Sequence, residues 1–246
     1  MGNLHEGHIA LIKHAQKYNS PTICSIFVNK LQFGPNEDFD KYPRTLNQDI
    51  DLLEKNHCDF LFIPDEEHFK EIKLYRADSA LSKILCGAIR PTHFDGVVSV
   101  LHWLVKLIRP TYLFMGQKDF QQIKIVERFM AMHFAQVQLI EVPTEREADG
   151  VAKSSRNNLL TATQRKLAPR LYQVLLNATS MIENKNIDEI TKFVNDELNQ
   201  AGFDVDYVEI KSRLNLLDPN PSMSDAILLC AARLGEVRLI DNIFIK

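Results

Sequence analysis

The sequence predicts an α/β protein, a parallel sheet covered by helices, with a smaller α+β domain after it. Three observations predict this. Short β-branched runs alternate with helical periodicity as far as residue 157. Beyond that point two helical stretches precede three strand-like runs. The 246 residues are also 45% hydrophobic, with nine glycines and ten prolines, as in soluble globular chains with an ample core. The expected domains are 1–157 and 158–246.

Residues 9–18 carry apolar side chains at helical spacing, and 22–28 (Thr-Ile-Cys-Ser-Ile-Phe-Val) read as a buried strand. A polar loop through Gly34, Pro35 and Pro43 leads to a helix at 46–55. The next strand, 60–63, is stopped by Pro64, and the apolar helix 96–108 is ended by Pro110. A strand at 112–115 closes at Gly116, before a helix carrying Ile123, Val126, Phe129 and Met130. One more strand, 137–142, is stopped by Pro143. Strand and helix alternating in this way point to parallel pairing through crossover helices. In the second domain the helices are 161–183 and 187–201 and the strands 205–210, 226–234 and 237–245. Gly235-Glu236 suits a hairpin between the last two.

Net charge is −3, so no global basic field invites nucleic acid. No apolar run approaches the roughly 20 residues of a membrane helix, and no charged-then-apolar leader opens the chain. A soluble, cytoplasmic chain is expected. Cys24, Cys58, Cys86 and Cys230 form no C-x-x-C pair, and they read as buried, reduced thiols. Met130 and Met132 read as core, and the acids between Glu37 and Asp51 as a solvated loop. His57, His102 and His133 have no partner at ligand spacing.

Ligands of parallel sheets bind beyond the carboxyl ends of the strands, so the polar loops there are the candidate sites. Neither G-x-G-x-x-G nor a Walker A motif occurs; Glu147 and Ala152 stand where a phosphate loop ending in Lys153-Ser154 needs glycine. Met1-Gly-Asn-Leu-His-Glu-Gly-His8 runs into the first helix, where two histidines and free N–H groups favour phosphate. In Asn29-Lys-Leu-Gln32, neutral amides can bind a carboxylate and a hydroxyl. Gly116-Gln-Lys-Asp-Phe-Gln-Gln122 combines close backbone approach with the point charge of Lys118. Lys153-Ser-Ser-Arg156 is a candidate phosphate clamp. Taken singly, each loop also has a plain structural reading: a frayed start, a capped turn, a solvated helix start, a polar linker.

Together they are far more specific. Met-Gly-x-Leu-His-x-Gly-His, Ser-Ile-Phe-Val-Asn with Leu-Gln-Phe, and Tyr-Pro-Arg-Thr occur in order. Arg90-Pro-x-His-Phe-x-Gly-Val97, Gly-x-Lys-Asp-x-Gln-Gln, and Arg-Glu-x-Asp-Gly with Ser-Ser-Arg-Asn follow. This series resembles the pantoate–β-alanine ligase family of the nucleotidylyltransferase superfamily. The resemblance implies a Rossmann-like first domain and a C-terminal lid that excludes water. It implies two steps: ATP and pantoate give pantoyl adenylate and pyrophosphate, then β-alanine displaces AMP to form pantothenate.

By motif position, the resemblance makes His8, His5, Lys118 and Arg156 the catalytic group. ATP would be bound by Met1, Gly2, His5, His8, Gly116, Gln117, Lys118, Asp119, Glu145, Lys153, Ser154, Ser155 and Arg156. Gln32, Gln122 and Asn29 would bind pantoate and β-alanine. Magnesium would shield the triphosphate through unknown ligands, and a homodimer is implied. Lys30 stands where the family has proline, Gln117 where glutamate is common, and Glu145 and Lys153 where apolar residues are usual. Glu145 and Lys153 are also positioned to pair with each other.

The alternative is an N-terminally truncated, inactive ATP-binding homologue. In the superfamily the His-x-Gly-His loop follows a central strand, whereas this sequence opens inside the loop. The expectation is therefore a native chain about 20–30 residues longer, enough for a helix and a strand, with a Pro-Thr-like turn entering Met1. Expressing both forms checks this: the longer should be more stable and more active, and equal behaviour would refute it.

Overall fold

The computed structural model describes residues 2–35, 37, 39–220 and 223–245. The chain divides into two compact units, Met1–Gln117 with Gln121–Pro143, and Lys118–Phe120 with Thr144–Lys246. Up to Pro143 the elements are α1 (Glu6–Ala15), β1 (Ile23–Ser25), α2 (Leu46–Lys55), β2 (Phe60–Phe62), α3 (Glu66–Lys70), α4 (Leu85–Ile89), α5 (His93–Ile108), β3 (Tyr112–Gly116), α6 (Phe120–His133) and β4 (Gln138–Val142).

In the first unit β1 pairs with β2 and β3 with β4, both parallel, as the alternation of strand and helix requires. Among the described residues these parallel strands stand as two two-stranded pairs, β1-β2 and β3-β4. Helix α1 serves both pairs. Its Ile9 and Ile12 share a cluster with Cys24, Ile26 and Leu53, while the Tyr18 ring beyond its C-terminus meets Tyr112 and Phe114 at centroid distances of 4.5 and 5.2 Å. The strand expected over 22–28 is shorter: Ile26 still donates to Phe62, but Pro64 soon ends its partner. The helix expected at 96–108 begins earlier, at His93.

The other elements are α7 (Ala162–Leu167), α8 (Pro169–Thr179), α9 (Ile187–Gln200), β5 (Asp204–Ser212), β6 (Ala226–Leu234) and β7 (Val237–Phe244). The single helix expected at 161–183 is two, since Pro169 starts a new helix at its first turn. Strand β6 is the centre of an antiparallel sheet, ordered β5-β6-β7. Leu234 pairs with Val237 across the hairpin, and Gly235 takes the positive φ, +57°, that its tight turn needs. Leu171, Val174, Leu175 and Ala178 on α8 and Ile190, Val194 and Leu198 on α9 form stripes at helical spacing, buried in one cluster with Leu228, Cys230 and Ala232.

The cysteines are free, although Cys58 is only half-buried. Burial pushes the Cys24 thiol up to about 11 and raises Cys230 further, so both stay protonated packing groups. Met130 is core at 2% exposure, but Met132 is 79% exposed, on the outer side of α6.

Leu175 is fully buried. Leu175→Ala should cost about 2–5 kcal/mol, measured by denaturant unfolding; a loss below about 1 kcal/mol would show that the α8 stripe is not a packed core.

Candidate active site

The first unit presents three of the sequence-predicted loops. Asn3 and Leu4 direct their N–H groups onto the two carboxylate oxygens of Asp49, at 2.9 and 2.7 Å, and Thr45 donates to the same carboxylate at 3.0 Å. Asp49 is 2% exposed, so it is no member of a solvated acidic loop. Its clasp delivers the chain to His5, the N-cap of α1. Gly7 N–H donates to His5 Nδ1 and His5 N–H to His8 Nδ1, both at 3.2 Å. A nitrogen that accepts cannot carry the proton of a neutral imidazole, which assigns that proton to Nε2 on both rings. The rings lie 4.0 Å apart by centroid, two N–H donors on one helix start. Gly2 is buried, and Met1 falls outside the described residues.

Beyond β1, Lys30–Gln32 forms a short 3₁₀ turn capped by Asn29, whose Oδ1 accepts from Leu31 N–H. Asn29 is buried, and its amide nitrogen donates to Gly96 O at 3.0 Å and Gln32 Oε1 at 3.2 Å. The Gln32 main-chain oxygen accepts from His93 Nδ1 at 2.8 Å and Arg90 at 3.3 Å. Arg90 also faces His93 Nε2 at 3.2 Å; because a guanidinium only donates, His93 holds its proton on Nδ1. Arg90 in turn grips both oxygens of Glu37 at 2.6 Å. Gly96 permits the contact, since a Cβ there would stand 2.1 Å from Leu31 O. Thus the Arg90-Pro-x-His-Phe-x-Gly motif wraps the main chain of Gln32. The Gln32 side-chain nitrogen donates to none of the described residues.

At the end of β3, a Cβ on Gly116 would meet nothing within 4 Å among the described residues. Gln117 donates to Glu141 at 3.3 Å. The adjacent glutamines of α6 differ sharply. Gln121 is buried, accepts from Cys86 N–H at 3.0 Å and donates to Leu81 and Ile84 carbonyls at 2.8 Å. Gln122 is half-buried, and its amide bonds no described residue.

The second unit carries the remaining candidates. Lys118 Nζ lies 3.8 Å from the Asp119 carboxylate, too far for a firm hydrogen bond. Arg146 and Ala152 form an antiparallel bridge, beside which Lys153 N–H donates to Glu145 O at 2.9 Å. The pairing of Glu145 with Lys153 runs through this backbone bond, while the Lys153 ammonium lies 3.8 Å from Glu147. Ser154 caps a 3₁₀ turn, Ser155–Leu159, by accepting from Arg156 N–H, and Ser155 is buried. Among the described residues no group of three His, Cys, Asp or Glu is gathered to hold a metal ion. His102 and His133 do approach, at 5.7 Å by centroid, within an aromatic group that includes Tyr75 and Phe129.

Sequence reasoning missed Asp49 and Glu37, whose acidic neighbourhood reads as solvent-facing, and it gave Arg90 and His93 no task. Asp241 and Asn242 were missed too, although two polar residues inside the apolar run of β7 are a signal.

β1 and β3 each lead at their carboxyl ends to a short 3₁₀ turn, Lys30–Gln32 and Gln117–Asp119, and the histidine pair stands at the start of α1, the layout of an α/β fold with polar loops beyond its strands. The family model described as pantoate-beta-alanine ligase matches residues 1–244. The chain belongs to that family, a family of ligases. Pantothenate synthetase of Acinetobacter baumannii is 43% identical over 99% of this chain and 87% of its own length. That of Fervidobacterium nodosum is 42% identical over 100% and 89%. The crystal structure of pantothenate synthetase from Thermus thermophilus matches with TM-score 0.95 and 38% identity, covering 100% of this chain and 91% of that one. The Francisella tularensis ligase, solved with β-γ ATP and β-alanine, matches at 0.83 with 33% identity, over 99% of this chain and 87% of that one.

Burial raises the Glu37 carboxyl, but the hydrogen bonds and charge of Arg90 outweigh it and hold it below its ordinary value of 4.5. A depressed carboxylate stabilises the fold above its ordinary value and loses that contribution as pH falls through the depressed one. The stability difference between wild type and Glu37→Gln should therefore be full at pH 7 and shrink below about pH 4.5. Melting temperatures across pH check this, and a difference independent of pH would remove the pair from the accounting.

Proposed function

We propose that this enzyme makes pantothenate from pantoate and β-alanine through pantoyl adenylate. A pantoate carboxylate oxygen attacks the α-phosphorus of ATP as the bond to pyrophosphate breaks. The β-alanine amine then attacks the acyl carbon, sheds a proton, and AMP leaves with the ester oxygen. No side-chain nucleophile is needed.

The paired histidines carry this reading. Two imidazoles whose Nδ1 atoms both accept backbone N–H groups keep Nε2–H as donors, suited to charge building on a transferring phosphate. His5 and His8 contact the ATP phosphates, and Gly2 and Met1 are assigned to ATP by motif position. Gly116, Gln117 and Asp119, with Glu145 and Lys153 through their main chains, bind the nucleotide. Lys118, Ser154, Ser155 and Arg156 offset its negative charge. Gln32 and Gln122 hold pantoate, Gln32 also meets β-alanine, and Asn29 acts through Gln32. Magnesium, bound together with ATP, would shield the triphosphate charge and assist pyrophosphate departure.

The enzyme is cytoplasmic and homodimeric on this reading, in keeping with the family resemblance. Among the described residues no helix is long and apolar enough to cross a membrane.

Incubation with ATP, magnesium, pantoate and β-alanine should yield AMP and pantothenate in equal amounts, and pyrophosphate should appear without β-alanine. Release of ADP instead would sink the adenylate. His8→Ala should fold normally and lose about 10²–10³ in the rate of adenylate formation; near wild-type pyrophosphate release would remove His8 from catalysis.

A further inference from the structure

Asp241 and Asn242 are consecutive polar residues on β7, only 3% and 6% exposed, and the proposed reaction gives neither a task. Their partners are telling. Asp241 holds Arg146 in a two-pronged ion pair, at 2.6 and 2.9 Å, and the Arg146 guanidinium lies 3.7 Å from the Tyr172 ring centroid. Arg146 also donates to Gly150 O at 3.0 Å and bridges to Ala152, the residue before Lys153. Asn242 reaches elsewhere: its Nδ2 donates to the Lys118 carbonyl at 3.0 Å. Close by, the Phe244 ring meets that of Phe120 edge-on at 5.6 Å. Lys118–Phe120 accordingly groups with the second unit, although the chain on either side of it belongs to the first.

We propose that Asn242 is a positioning residue for Lys118 in ATP binding. It fixes the Lys118 main chain from β7, the strand whose Asp241 holds Arg146, the bridge partner of Ala152 just before Lys153. A lysine on a fixed backbone gives up less freedom when it grips phosphate than one on a loose loop. This inference rests on the reading that Lys118 contacts ATP.

The test uses Asn242→Leu, close in size but without the donor, beside Asn242→Ala, Lys118→Met and the double variant Lys118→Met with Asn242→Leu. Asn242→Leu should weaken ATP binding about three- to tenfold, with the KM for pantoate and the melting temperature near wild type. In the Lys118→Met background it should add nothing further. Equal weakening of both substrates, a full effect persisting without Lys118, or failure of both Asn242 variants to fold would overturn the proposal. An impaired Lys118→Met beside a normal Asn242→Leu would overturn the positioning role alone. Unchanged ATP binding in Lys118→Met would overturn it at its root, by withdrawing Lys118 from the ATP site.

Discussion

Two backbone N–H groups, those of Asn3 and Leu4, converge on one buried carboxylate, Asp49, and the histidine pair stands on that clasp. A helix start has N–H groups without intrahelical partners, and the approach to α1 adds more. Asp49 takes those before the helix, and the two Nδ1 atoms take those at its first turn. Each buried donor left unmet would cost about 1–3 kcal/mol. Satisfying them also fixes the two Nδ1 atoms as acceptors, which sets the ring orientation at the helix start.

In the other loops too the main chain is held by polar side chains. Gln32 is fixed by its carbonyl, from His93 and Arg90, while its side-chain nitrogen bonds no described residue. Lys118 is fixed by its carbonyl from Asn242, and the Ser154–Arg156 turn by its own capping hydroxyl. In each case the stabilising partners are buried or half-buried polar groups with satisfied geometry, the condition under which such networks order a site instead of destabilising it.

Cys24 and Cys230 are buried among apolar neighbours that favour the neutral thiol, which leaves them as packing groups. The two units differ in kind: the first rests on parallel pairs whose strands end in the candidate loops, the second on an antiparallel sheet whose last strand carries the buried Asp241-Asn242 pair.

The sequence by itself determined the elements whose pattern is local. Helix α2 covers Leu46–Lys55, as its helical spacing predicts, and β6 covers Ala226–Leu234, as a continuous apolar run buried on both faces predicts. It also determined which loops to inspect, since they follow strands. Tertiary structure alone decided the partners. Asp49 meets residues 46 and 45 positions away, Arg90 meets Glu37 across 53, and Asn242 meets Lys118 across 124; no local pattern records such pairings. Nor could composition separate Gln121 from Gln122. They are identical and adjacent, and the rotation of α6 turns one into a cage of backbone groups and leaves the other with its amide available.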